Sequence, residues 1–114
     1  MAVTAQATGT TLADGTEQFL ANVALAGSYT LHFDSNPMAA GDVVELRIYQ
    51  MVLTAGTPRV AYLARYAEAQ FADDLIKISV PISNELVDPQ SLRFSMRQTA
   101  GTYRTFVWKV LRYA

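Results

Sequence analysis

Cysteine is absent from the 114-residue sequence, and histidine occurs only once. The absence of cysteine excludes disulfides, thiolate metal sites and cysteine nucleophiles, and it is typical of folding in a reducing compartment. A single histidine excludes the His-rich spacing of a zinc site. Neither sign of charge dominates, with 9 basic and 10 acidic side chains, so the basic footprint of a nucleic-acid binder is missing. We expect no metal, no other cofactor and no nucleic-acid partner.

The chain also lacks the features of a secreted or membrane protein. No apolar run approaches the roughly 20 residues of a membrane-spanning helix. The first residues, Met1–Gln6, contain neither the basic nor the apolar segment of a signal peptide. Hydrophobic residues make up 51% of the chain, which is more than disordered chains have and is enough for one core at this length. The sequence predicts a single domain that is made in the cytoplasm and has no membrane partner.

From Glu17 onward the sequence consists of short runs of β-branched and aromatic residues. Turn residues separate the runs roughly every 8 to 12 positions, the spacing of an all-β sandwich or barrel. We predict an all-β fold, an antiparallel and jelly-roll-like β-sandwich of about seven or eight strands. Residues 1–16 are predicted to form an extended N-terminal arm, and residues 17–114 a single β-sandwich domain. The predicted strands are 17–23, 28–34, 43–53, 58–67, 75–80, 91–98 and 103–112.

Two similar sequences, Thr54–Thr57 and Thr99–Thr102, each contain Ala-Gly between strand-like runs and predict two hairpins. In the first hairpin, the register expected from a tight turn places Tyr49 opposite Tyr62. Tyr66 lies on the same face, which is therefore rich in tyrosine. The opposite face carries mainly aliphatic side chains and is predicted to belong to the core.

The second hairpin is predicted to pair Phe94 with Val107 on its core face. Its other face then carries Trp108 opposite Arg93. Towards the turn, Arg97 lies opposite Arg104, and like charges in directly opposite positions repel each other. We predict Arg93, Arg97 and Arg104 as contacts to an acidic partner. The alternative is that the arginines at the hairpin end extend into water, where solvent screens their repulsion.

The second face of each hairpin is less polar than a solvated strand face usually is. Tyr, Trp, Met and Arg are enriched in the cores of protein interfaces, and monomers rarely expose large apolar patches. The sequence therefore predicts a homo-oligomer, and the alternative is that both sheets are covered and these rings belong to the core. The predicted self-association residues are Tyr49, Tyr62, Tyr66 and Trp108.

No constellation of catalytic residues is evident, so the sequence predicts that the protein is not an enzyme. His32 has no neighbouring serine in the context of a nucleophile elbow, and scattered glutamates do not define a glycosidase pair. The oxygen-rich segments Asp34–Asn36 and Asp73–Asp74 lack the dense ligand spacing of a calcium loop and match turns instead. We predict no catalytic, cofactor-binding or metal-binding residues.

A carbohydrate-binding β-sandwich module is the alternative class of function. Its platform would be the predicted tyrosine and tryptophan side chains. Such a platform requires flanking polar groups in a depression, and this face supplies only Glu45, Arg47 and Gln98.

Three stretches resemble small virion proteins of tailed bacteriophages: Glu45–Met51, Asp73–Asn84, and the ending that runs from Leu92–Phe94 to Phe106–Leu111. The resemblance covers the chain from about residue 10 and rests on short structural sequence segments, not on a functional motif. It implies a capsid decoration or cement protein, a type that is commonly a β-sandwich or jelly-roll-like subunit, often a homotrimer, seated where major capsid proteins meet. It also implies a location in the virion and transfers no catalytic residues. A tail or adaptor component is equally compatible with it.

Overall fold

A computed structural model describes residues 2–114. Nine strands and no helix are found in this part of the chain, so no helix within it could span a membrane. The strands are β1 (Val3–Leu12), β2 (Gln18–Val23), β3 (Gly27–Asp34), β4 (Val43–Gln50), β5 (Arg59–Ala67), β6 (Ile76–Ile78), β7 (Ile82–Asn84), β8 (Leu92–Ala100) and β9 (Thr105–Tyr113).

The strands form two antiparallel sheets. The first sheet has the order β1-β9-β3-β6, and β7 pairs with β3 beyond the end of β6. The second sheet has the order β2-β8-β4-β5. Because β6 and β7 share one position, the fold has four strand positions in each sheet, and the chain crosses repeatedly between them as in a jelly roll. The predicted all-β sandwich is confirmed.

The core lies between the sheets and follows the two-residue period of the strands. On β4, alternate residues from Val44 to Ile48 are buried, whereas the residues between them are only partly covered. The same alternation buries Leu31 and Phe33 on β3. Aromatic side chains from both sheets meet in this layer, where the ring centroids of Tyr29 on β3 and Phe94 on β8 are 6.5 Å apart.

The segment expected to be an N-terminal arm is extended, but it is part of the sandwich. Residues Val3–Leu12 form edge strand β1, which pairs antiparallel with β9 from Val3↔Tyr113 to Leu12↔Thr105. Residues 3–12 therefore belong to the first sheet and not to a separate arm. Their Ala, Thr and Gly residues suit an edge strand that sends few large side chains into the core. Because large β-branched and aromatic residues are the usual mark of a strand, this composition gives little strand signal in the sequence.

The predicted register of the first hairpin is wrong by one residue. Strands β4 and β5 do pair, but Ile48 lies opposite Tyr62 and Val44 opposite Tyr66, and a bulge follows before Tyr49↔Val60. A one-residue slip moves every side chain of one strand to the other face. Tyr62 and Tyr66 consequently share the inward face with β4 core residues, and Tyr49 points outward.

The predicted second hairpin does not exist, because β8 and β9 lie in different sheets. Strand β8 pairs with β2 and β4, and β9 pairs with β1 and β3. The segment Thr99–Thr102 ends β8 and begins the crossing to the first sheet. Phe94 is buried as predicted, but Val107 is 55% exposed, whereas Trp108 is 7% exposed. The predicted pairings of Arg93 with Trp108 and of Arg97 with Arg104 are therefore wrong.

Trp108 closes the core beneath the edge strand. Its register partner on β1 is Gly9, and a Cβ atom on Gly9 would lie 2.6 Å from Trp108 Cζ2. The indole Nε1–H donates to Thr11 Oγ1 at 3.0 Å, which satisfies the one polar atom of the ring. Glycine is therefore required at position 9 for the ring to pack against the backbone of β1.

Asp42 ties the start of β4 to the crossing between the sheets. The Asp42 side chain is 1% exposed, and it accepts hydrogen bonds from Ala39 N at 2.9 Å, Thr102 N at 3.0 Å and Arg104 Nε at 2.9 Å. Gly101, which has φ +90°, passes so close to this carboxylate that a Cβ atom would collide with it. A buried carboxylate with this many donors is a structural anchor.

Candidate interaction surfaces

Three of the four aromatic residues predicted for self-association do not lie on an outer face. Trp108 is buried, and Tyr62 and Tyr66 are half-buried and pack against the core. Lys77 Nζ lies 5.0 Å from the centroid of the Tyr66 ring, and burial, with the neighbouring Tyr62, raises the pKa of Tyr66 to about 12. Only Tyr49 points outward, so the predicted tyrosine-rich interface is not brought together.

The three predicted arginines also separate into two groups. Arg104 pairs with buried Asp42, so its guanidinium serves the fold and is not presented to a partner. Arg93 and Arg97 lie on the outer face of the second sheet, where β8 runs between β2 and β4. Arg47 on β4 and Arg65 on β5 lie on that same face. In the β4–β5 register, Arg47 lies opposite Leu63 and Arg65 lies opposite Glu45.

The outer face of the first sheet carries a band of exposed aliphatic side chains, here called the aliphatic band. It runs across the sheet from edge strand β1 through β9 to edge strand β6, and β3, which lies between β9 and β6, contributes Asp34 and His32 to the same face. Its members are Leu12 (61% exposed), Val107 (55%), Ile76 (51%) and Ile78 (57%). An open groove of about 520 Å³ lies along it, between Thr8 and Thr10 on one side and Ile76 on the other.

His32 lies beside this groove, on the outward side of β3. Its Nε2 atom is 2.9 Å from Thr30 Oγ1, which is in turn 3.1 Å from the Tyr113 hydroxyl. Lys109 is its register partner on β9. Burial, followed by the positive charge of Lys109, lowers the pKa of His32. His32 thus forms a hydrogen-bonded row with Thr30 and Tyr113. Among residues 2–114, no group of three or more His, Cys, Asp or Glu side chains could hold a metal ion.

The outer face of the second sheet is chemically different and is here called the arginine face. It combines four arginines, two glutamates, two aromatic rings and a buried serine. Its members are Glu17, Phe19, Glu45, Arg47, Tyr49, Arg65, Arg93, Ser95 and Arg97. The four arginines and two glutamates leave this face with an excess of positive charge, although the chain as a whole has a net charge of −1.

Glu17 organises the centre of the arginine face. Its Oε2 accepts hydrogen bonds from the Tyr49 hydroxyl at 2.7 Å and from Ser95 Oγ at 2.6 Å. Burial alone would raise the pKa of Glu17, but these hydrogen bonds and the charges of Arg47 and Arg93 outweigh burial and hold the pKa below its ordinary value. Burial and the bond to Glu17 raise the pKa of Tyr49.

The two surfaces contain residues that the sequence analysis did not select. Ile76 and Ile78 alternate with Lys77 on β6, and Lys77 faces inward. The two-residue period of the strand puts both isoleucines on one face, but the sequence does not show that this face is the outer one. Phe19 and Glu17 gave no such signal, because their role depends on the β2–β8 register. The oxygen-rich segments at Asp34 and Asp73 line a second open cavity, in which Asp34 Oδ1 accepts from Asn36 N as in an Asx turn.

No protein-family model, no curated protein and no solved structure matches this chain. The surfaces are therefore interpreted from their own chemistry.

Proposed function

We propose that the protein is a non-enzymatic structural subunit of a bacteriophage virion, a decoration or cement protein that stabilises the head through oligomeric contacts. The observation that carries the proposal is the aliphatic band, four half-exposed aliphatic side chains on the outer face of the first sheet, with Asp34 and His32 of β3 between its two halves. Such a face favours contact with another protein surface, because four large aliphatic side chains more than half exposed on one sheet face gain free energy when a partner covers them.

The partners in this proposal are further copies of the chain, with a trimer favoured, and the major capsid protein. Covering the exposed half of a Leu, Ile or Val side chain contributes about 1 kcal/mol. One band therefore supports only a weak contact. On a shell with many symmetric copies, weak contacts that engage together become effectively permanent, which suits a protein whose task is to hold neighbouring subunits.

The jelly-roll sandwich and the resemblance of Glu45–Met51 and Asp73–Asn84 to phage virion proteins both support the proposal. Jelly rolls occur in viral capsid domains, but also in lectins and cupins. The fold alone therefore does not select the function. The similar sequence segments favour a virion protein, and the aliphatic band favours assembly with other subunits.

Co-sedimentation with empty phage heads that lack the protein tests this function. The wild-type protein should pellet with the heads, and light scattering should give a mass above that of one chain. The double variant V107E/I78E places two charges in the aliphatic band, and we expect at least a tenfold loss of head binding. V52E/L53E is the matched control, because Val52 and Leu53 are 77% and 73% exposed but lie in the connection between β4 and β5.

Three results would count against the proposal. The first is a wild-type protein that does not pellet with heads. The second is a monomer at high concentration, and the third is equal head binding by V107E/I78E and wild type. Binding on a glycan array without head binding would favour the carbohydrate-binding alternative.

A further inference from the structure

We propose that Arg93 and Arg97 form a carboxylate-binding pair that docks an acidic, extended segment of a different protein. The inference deepens the proposed function, on which it rests, by naming the chemistry of the partner at the arginine face. Both residues lie on β8 and point outward, four positions apart. Their Cα atoms are therefore separated by about 13 Å along the strand.

Each of the two guanidinium groups is held by its Nε atom. Arg93 Nε donates to Asn22 Oδ1 at 3.3 Å, and the Arg93 guanidinium stacks on the Phe19 ring with its central carbon 3.9 Å from the ring centroid. Arg97 Nε donates to Gly15 O at 3.0 Å. An arginine fixed in this way loses less conformational entropy when it binds.

The terminal nitrogens of both arginines remain available. Within residues 2–114, neither Arg93 nor Arg97 forms an ion pair, and the only hydrogen bonds that their side chains donate are the two from Nε. The two terminal nitrogens of a guanidinium present parallel N–H groups that match the two oxygens of a carboxylate. Each arginine therefore presents a fork that one partner carboxylate can occupy.

The surrounding residues make this pair suitable for a protein partner. The Phe19 and Tyr49 ring centroids are 5.7 Å apart, so aromatic surface lies next to the Arg93 fork. Arginine and tyrosine in such clusters are typical of interface hot spots. Arg93 stacks on the Phe19 ring, which remains 43% exposed and adds apolar surface beside the fork.

A second copy of the chain is a poor match for this site. All side-chain carboxylates in the sequence except Asp73 and Glu85 already accept a hydrogen bond or form an ion pair within the chain. Asp73 and Glu85 lie on separate loops on either side of β6 and β7. No single extended segment of the chain therefore offers two free carboxylates, and the acidic segment belongs to another protein.

Fluorescence anisotropy with a labelled, blocked peptide tests the inference. The probe has two glutamates four residues apart, and the matched peptide has glutamine at both positions. We expect salt-sensitive binding of the glutamate peptide only. R93K/R97K keeps both charges but removes the forks, so we expect at least tenfold weaker binding. R59K is the control, because the exposed Arg59 side chain donates no hydrogen bond among residues 2–114 and lies outside the arginine face, and we expect less than a twofold change.

Several outcomes would overturn the inference. Equal binding by R93K/R97K and wild type would show that the site responds to net charge and not to the geometry of the guanidinium forks. Equal binding of the glutamine peptide, or displacement by single-stranded DNA at a lower concentration than by the glutamate peptide, would also overturn it. So would self-association that R93K/R97K abolishes. V107E/I78E should bind the peptide as wild type does, so failure of the aliphatic band and failure of the arginine pair give different results.

Discussion

The two outer faces of this sandwich solve the problem of exposed strand surface in different ways. The first sheet leaves aliphatic side chains such as Val107 and Ile78 in water and surrounds them with few charges. The second sheet places a polar network at the centre of its outer face, in which Glu17 accepts hydrogen bonds from Tyr49 and Ser95, and leaves Leu63 exposed beside it. Apolar contacts are weakly directional, whereas arginine–carboxylate contacts are geometrically specific. Under the proposed function, one face supplies adhesion and the other supplies selectivity.

The largest expected effect comes from the anchor that both faces share. D42A removes a buried carboxylate that accepts hydrogen bonds from Ala39 N and Thr102 N and that pairs with Arg104. Because Ala39 N and Thr102 N then lose their acceptor, we expect a loss of about 2–4 kcal/mol in the free energy of unfolding. Urea denaturation measures the change. D73A is the control and should lie within about 0.5 kcal/mol of wild type, because Asp73 is exposed.

If both outer faces depend on the Asp42 anchor, D42A should weaken head binding by the aliphatic band and acidic-peptide binding by the arginine pair. A D42A protein that unfolds at the wild-type urea midpoint would contradict the anchor role of Asp42. Loss of only one activity in a folded D42A protein would instead show that the faces are supported separately.

A smaller effect is expected from a change that reaches the first sheet alone. G9A places a Cβ atom 2.6 Å from Trp108 Cζ2, so the ring or strand β1 must shift, at a cost of about 1–3 kcal/mol. Trp108 is the only tryptophan, so its fluorescence emission reports the shift directly. T8A, on the outward side of the same strand, is the control. Unchanged emission and stability in G9A would contradict this packing, and acidic-peptide binding should be unaffected.

The difference between the faces could not be read from the sequence, although the strands could. The predicted segments 28–34 and 91–98 nearly coincide with β3 and β8, because alternating apolar residues mark half-buried strands. The alternation shows which residues share a face, but not which face is inward or which sheet a strand joins. The Ala-Gly sequence at Thr99–Thr102 is compatible with a hairpin and with a crossing between sheets.

The errors at the candidate sites have the same origin. A bulge between Ile48 and Tyr49 changes the β4–β5 register, and no local sequence signal specified its position. Once the register is shifted, Tyr62 and Tyr66 turn inward. The arginine face depends on contacts distant in sequence, such as Ser95 with Glu17, so composition predicted arginines at a surface but not their arrangement.

A third prediction concerns the second sheet alone. E17Q removes the charged acceptor of Tyr49 and Ser95 and should lower the free energy of unfolding at neutral pH by about 1 kcal/mol. The pKa of Glu17 is lowered on folding from 4.5, so its stabilisation is present above pH 4.5 and is lost as the pH falls through the folded pKa. Urea denaturation at pH 7 and pH 3.5 measures both. E85Q is the exposed control, and an E17Q deficit of the same size at both pH values would contradict the assignment.

The smallest expected effect separates the two faces by pH. The pKa of His32 is lowered on folding from 6.5 by burial and by Lys109, so below pH 6.5 the unfolded chain binds a proton more readily than the folded chain. Wild-type stability should therefore begin to fall as the pH drops below 6.5, which is above the range in which Glu17 acts. H32Q should remove this early decline, and K109A should reduce it, because less positive charge then opposes protonation.

Unfolding curves at pH 7.5 and pH 5.5, with an NMR titration of the His32 ring, distinguish the two faces. A decline shared equally by wild type and H32Q would assign the acid sensitivity to other groups. A folded-state titration midpoint above 6.5 would reverse the expected sign, because protonation would then stabilise the fold. If His32 behaves as expected, mild acidification lowers the free energy of unfolding of the whole domain while the Glu17 network of the second sheet stays charged, so acidic-peptide binding should persist at pH 5.5.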